Sequence, residues 1–137
     1  MPFKEKIAWI SVITTIVVWG AYFGVLLADR SLPGPVQLVG FVGAVIVQTI
    51  LVTAAAIVTA VLSPKDASAA SDERDKAVSR RAYALAYPVL LSLSVCVAAS
   101  MHFGADAKAM ALEIMAAIVI AEIVHYGAQI VGYRRGA

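Results

Sequence analysis

Cysteine is nearly absent from this chain. Cys96 is the only one among 137 residues, so no disulfide can form within a subunit. It lies inside an apolar run, where a lone cysteine is expected to act as a small packing residue. Charge is scarce as well: Asp, Glu, Lys and Arg make up 15% of the residues, against about a quarter in an ordinary soluble domain. That shortage excludes a conventional water-exposed surface. The sequence also has no nucleophile–base pair, no Gly-rich phosphate loop and no Cys/His cluster at metal-ligand spacing. Its polar connections are too short to hold a catalytic domain, so enzymatic activity is not expected.

What the chain has is apolar length. Its mean hydropathy is +0.86, and 61% of its residues are hydrophobic. Residues 7–28, 32–64 and 82–105 contain no Asp, Glu, Lys or Arg. A fourth block, residues 109–133, is interrupted only by Glu113, Glu122 and His125. A hydrocarbon core of about 30 Å takes roughly 20 helical residues to cross, so each block is long enough. The first is too long for the h-region of a cleaved signal peptide and is expected to be retained as a helix.

Short connections at residues 29–35 and 104–107 make neighbouring helices antiparallel. The expected fold is an all-α membrane protein: one antiparallel four-helix transmembrane bundle covering residues 1–137. Its helices are expected at about 5–28, 35–62, 72–103 and 107–134. Lys4, Lys6, Lys65, Arg74, Lys76, Arg80, Arg81, Arg134 and Arg135 fall on one side of the membrane, and only Arg30 and Lys108 on the other. This bias predicts a multi-pass protein of the inner membrane with both termini cytoplasmic. The basic residues thus describe orientation in a lipid bilayer, and nucleic acid is not an expected partner.

The central segment, residues 63–81, begins as a small-residue linker and ends as a helix start. Ser71 or Asp72 is the expected N-cap, with Asp75 at capping-box spacing and Lys76 as the i,i+4 partner of Asp72. The string Asp72, Glu73, Arg74, Asp75 resembles an Asp-Glu-Arg motif that precedes a transmembrane helix in uncharacterised small bacterial multi-span inner-membrane proteins. That resemblance implies a small bacterial inner-membrane protein and brings no activity with it. These four residues are either a capped, solvated helix end or a docking site for a cytoplasmic partner protein. Small multidrug exporters resemble the chain in length and helix count, but they carry an essential acid in the first helix, and residues 7–28 hold none. No fluoride-channel motif is present.

The fourth block poses the chemical question. Glu122 and His125 lie about 60° apart on a helix, and Gln129 about 20° from Glu122, so the three share a face. Counted by helix rise, Gln48, Thr15 and Tyr87 fall near the same depth. Intramembrane charge normally faces a bundle interior or a cavity. The expectation is a buried polar site formed by Glu122, His125, Gln129, Gln48, Tyr87 and Thr15, inside the bundle or at a homo-oligomer interface.

Three functions fit such a site. It can be polar glue in an accessory, sensor or partner-binding protein, with a cytoplasmic or membrane protein as the partner. It can be a proton or cation site, in a sensor or in a small oligomeric transporter. It can also be half of a metal or haem site, since Glu-x-x-His is one arm of the carboxylate di-metal pattern. The cofactor is left unspecified. Glu113, on the opposite face near the depth of Cys96, is expected to reach interfacial water. Gly20 and Gly24, and Gly40 and Ala44, have the small-xxx-small spacing of close helix contacts.

Overall fold

The computed structural model describes residues 3–64 and 72–135, and these are helical almost throughout. The helices are α1 (Phe3–Ala28), α2 (Gly34–Leu62), α3 (Glu73–Ser100) and α4 (Ala107–Arg135), with a 3-10 turn at Met101–Phe103. The linker before Asp72, and Ser71 as an alternative cap, lie outside the described residues. The chain divides into two compact units, Met1–Ala70 and Ser71–Ala137. Each is a helical hairpin and is described by itself.

Apolar length makes the helices, and local polar groups end them. Asp29 follows α1, and its carboxylate accepts from the Ser31 hydroxyl at 2.6 Å and the Ser31 N–H at 2.9 Å. Those two bonds, the hydroxyl's first, hold the Asp29 carboxyl below the usual carboxylate range. Pro33 caps α2, and Pro35 sits in its first turn, where a missing N–H costs nothing. At the start of α3 the Asp75 N–H donates to the Asp72 carboxylate at 2.7 Å, as the capping spacing predicts. The expected Asp72–Lys76 pair is replaced by a Lys76–Glu73 bridge at 2.8 Å. The Asp72 carboxylate is spent on the cap, and Glu73 lies one turn from the ammonium. Between α3 and α4, Gly104 takes φ 89°, a left-handed cap that disfavours any residue with a Cβ.

In the first hairpin, α1 buries Ala8, Ser11, Thr15 and Tyr22. Antiparallel pairing with α2 follows from three contacts. Lys6 Nζ donates to Ser63 Oγ at 3.4 Å, Gln48 Nε2 to Thr15 Oγ1 at 2.9 Å, and Tyr22 Oη to the Gln37 carbonyl at 3.4 Å. Trp19, Tyr22, Phe23 and Phe41 gather near the turn, with Trp19 edge-on to Tyr22 at a centroid distance of 5.8 Å. The two small-residue pairs separate here. Gly40 lies against the Tyr22 ring, whereas a side chain at Gly20 or Gly24 would meet open space.

The second hairpin is closed by small residues. Val78, Ala82, Ala86 and Val97 of α3 are buried, as are Ala117, Ala121, His125, Ile130 and Tyr133 of α4. Ala117, Ala121 and His125 recur every four residues, a single row along the helix. The small size of the two alanines lets the backbones approach closely there, as membrane helices do. Large apolar side chains face outward on both hairpins, among them Val17, Val39, Val61, Val95 and Ile118. Three helices, Phe3–Ala28, Gly34–Leu62 and α3 with its 3-10 turn, have the length and hydropathy to cross a membrane. The fourth has 29 residues and carries Glu113 and Glu122 within its apolar run.

Candidate functional site

His125 occupies the seam of the second hairpin because it continues the row of Ala117 and Ala121. It is 8% exposed. The Tyr83 ring of α3 lies over it, with centroids 4.3 Å apart and planes at 40°, and Tyr126 of α4 meets it edge-on at 5.1 Å. The Gln129 amide nitrogen, one turn along, lies 2.8 Å from His125 Nε2. An amide NH2 can only donate, so Nε2 accepts and the ring proton of the neutral imidazole sits on Nδ1. Nδ1 is buried and has no hydrogen-bond partner among the described residues. A buried donor without an acceptor costs free energy that the surrounding packing must offset.

The expectation that Glu122 points inward beside His125 does not match its place in the structure, where Glu122 is exposed. The reason is geometric. The buried row passes through Ala121 and His125, and Glu122 stands about 100° around the helix from Ala121. Gln129 keeps its expected place. Tyr87 is 66% exposed, and the ring over His125 is Tyr83, one turn earlier. Counting rise from the ends of the helices gives depth to about a turn. The register itself is set elsewhere, by Gly132 against Val78 and by Arg74 reaching Tyr133.

Gln48 and Thr15 form their own polar contact in the first hairpin. Gln48 Nε2 donates to Thr15 Oγ1 at 2.9 Å and to Thr14 Oγ1 at 3.2 Å. Thr14 passes its hydroxyl proton to the Ile10 carbonyl at 2.8 Å. The buried Gln48 Oε1 and Ser11 Oγ find no partner among the described residues.

At the Asp72–Asp75 motif all four side chains are engaged inside the second hairpin. Asp72 caps α3, and Glu73 pairs with Lys76. The Arg74 guanidinium donates to the Tyr133 carbonyl at 2.7 Å, and the Tyr133 hydroxyl donates to Asp75 at 3.2 Å. The Tyr133 carbonyl belongs to the last turn of α4, whose oxygens have no acceptor role left within the helix. The motif therefore clasps the base of α3 to the end of α4, a role that its sequence did not announce.

A third polar pair escaped the sequence reading. Ser100 Oγ lies 2.7 Å from both Glu113 Oε2 and the Val97 carbonyl, so its single proton serves one acceptor at a time. Glu113, expected at interfacial water, is held between the helices, and Cys96, expected to be packed, is exposed. No three His, Cys, Asp or Glu side chains converge as a metal site among the described residues. Compared with family models, curated proteins and solved structures, the chain matches none of them.

Proposed function

We propose that this is a small multi-pass membrane protein of the sensor or accessory type, in which His125 makes the seam of the second hairpin responsive to protons. In this reading all four helices cross the inner membrane, with both termini and the central linker in the cytoplasm. The nine-to-two distribution of basic residues and the outward-facing apolar side chains support it.

The observation that carries the sensing role is the pairing of a buried imidazole with an orphaned ring nitrogen. In the neutral ring, Nε2 accepts from Gln129. A second proton on Nε2 turns that acceptor into a donor facing the donor of Gln129, and the bond is lost unless the amide turns over. The imidazolium would then hold two N–H groups and a charge in a seam of alanines. Histidine is the side chain most often used for such a proton-driven change. Glu122, exposed one turn earlier on the same helix, is placed to contact whatever surrounds the hairpin rather than the ring.

Two measurements test the proposal. Reporter fusions at the C-terminus and in the linker should both read cytoplasmic, and an external signal at either overturns the topology. Side-chain nitrogen NMR of selectively labelled histidine should show His125 protonated on Nδ1 and accepting at Nε2, with Gln129→Leu removing the acceptance. A proton on Nε2 in the neutral ring would remove the basis of the switch.

A further inference from the structure

Away from His125, toward the α3–α4 turn, the second hairpin carries an open-mouthed cleft of about 290 Å³. Leu93, Val97, Ala117 and Ile120 form its apolar walls, and Glu113 and Ser100 supply its polar groups. Cys96 stands at its edge and is exposed. A carboxyl group and a hydroxyl 2.7 Å apart, set in apolar walls, suit one ligand chemistry. We propose that the cleft binds a small diffusible primary amine, as its ammonium, on an apolar body about the size of a substituted benzene ring.

The geometry accounts for each part of that ligand. An ammonium has three donors and no acceptor, so it needs a negative or lone-pair group at every polar contact. Glu113 offers the carboxylate. Ser100 offers a lone pair once its own proton turns to the Val97 carbonyl, which already lies 2.7 Å away. The hydroxyl thus donates to Glu113 when the cleft is empty and to Val97 when an ammonium replaces it. The apolar walls contact one side of the ligand's body, and the cleft stays open on the other. The volume sits at the small end of ligand cavities, which run from roughly 300 to 1,000 Å³. An amine-bearing phospholipid is a poor fit, because its phosphate would arrive beside walls that offer no Lys or Arg.

Cys96 provides a native reporter. The full chain in phosphatidylcholine nanodiscs is alkylated with a maleimide in the presence of benzylammonium or of benzyl alcohol, its neutral near-isostere. Equilibrium dialysis measures binding of the same two probes directly. Benzylammonium should bind saturably and slow alkylation of Cys96 several-fold, and benzyl alcohol should do neither. Glu113→Gln should abolish the effect, and Ser100→Ala should weaken it. The two-probe comparison uses the unaltered protein, so it stands even if a variant does not fold. Equal binding of both probes, no saturable binding of benzylammonium, or protection that survives in Glu113→Gln overturns the proposal. Protection by added phosphatidylethanolamine in the absence of benzylammonium would make the occupant a lipid and equally overturn it.

Discussion

Val78 fills the space that any side chain at position 132 would need. A Cβ built on Gly132 would lie 2.9 Å from Val78 Cγ1 and 3.2 Å from Cγ2. Valine is stiff at χ1 within a helix, so it cannot swing aside cheaply. Gly132→Ala is therefore expected to destabilise the second hairpin by about 1–3 kcal/mol through overpacking. Val78→Ala in the same chain should recover most of the loss. Denaturation in detergent, with both single variants and the double, measures this coupling. Additive effects would mean that the two helices do not meet there.

Arg74 and Glu73 are neighbours with different expected weights. Arg74 donates to the Tyr133 carbonyl and ties α3 to α4, whereas the Glu73–Lys76 bridge is exposed and within one helix. Arg74→Ala should lower stability by about 1 kcal/mol, and Tyr133→Phe should lower it further by removing the hydroxyl bond to Asp75. Glu73→Ala should stay within about 0.5 kcal/mol. The same variants bear on partner docking. A co-purifying protein lost in Glu73→Ala with an unchanged melting curve would give the motif an external role besides the clasp.

In the first hairpin the asymmetry of Gln48 is testable. Its amide nitrogen is shared between Thr14 and Thr15, while its buried oxygen has no partner among the described residues. Thr15→Val should cost about 0.6 kcal/mol, the usual size of an interhelical hydrogen bond in a membrane. Gln48→Met should cost less than that or stabilise, because it removes the orphaned oxygen together with the donor. Steric-trap or denaturant unfolding of each variant distinguishes the two. A larger loss for Gln48→Met would mean that the amide oxygen has a partner in the intact protein.

Much of the secondary structure was legible in the sequence. Charge-free runs marked α1 to α3, and Pro35 and Asp72 marked two helix starts, because each of these signals acts within a few residues. The candidate site was legible in part. His125 and Gln129 fall together because four residues along one helix bring side chains onto one face. The neighbour across the seam was not legible. Tyr87 and Tyr83 differ by one turn, and register is decided by whether Gly132 and Val78 interlock, which is a property of two segments more than 50 residues apart. Depth likewise suggested that Glu122 should be buried, but the face is set by the row of Ala117 and Ala121. The Ser100–Glu113 pair needs the 3-10 turn and the left-handed Gly104 to bring its partners level, and neither leaves a strong local signal.

A proton on His125 is expected to change the packing of α3 against α4. Spin labels at Leu85 and Val131, both exposed positions on the two helices, report that packing directly when Cys96 is replaced by Ser. Their distance distribution is measured in nanodiscs across a series from neutral to mildly acidic pH. The distribution should shift or broaden on the acid side in the His125 protein and stay fixed in His125→Leu. A distribution unchanged by pH in the His125 protein, or one that changes equally in His125→Leu, would contradict that expectation.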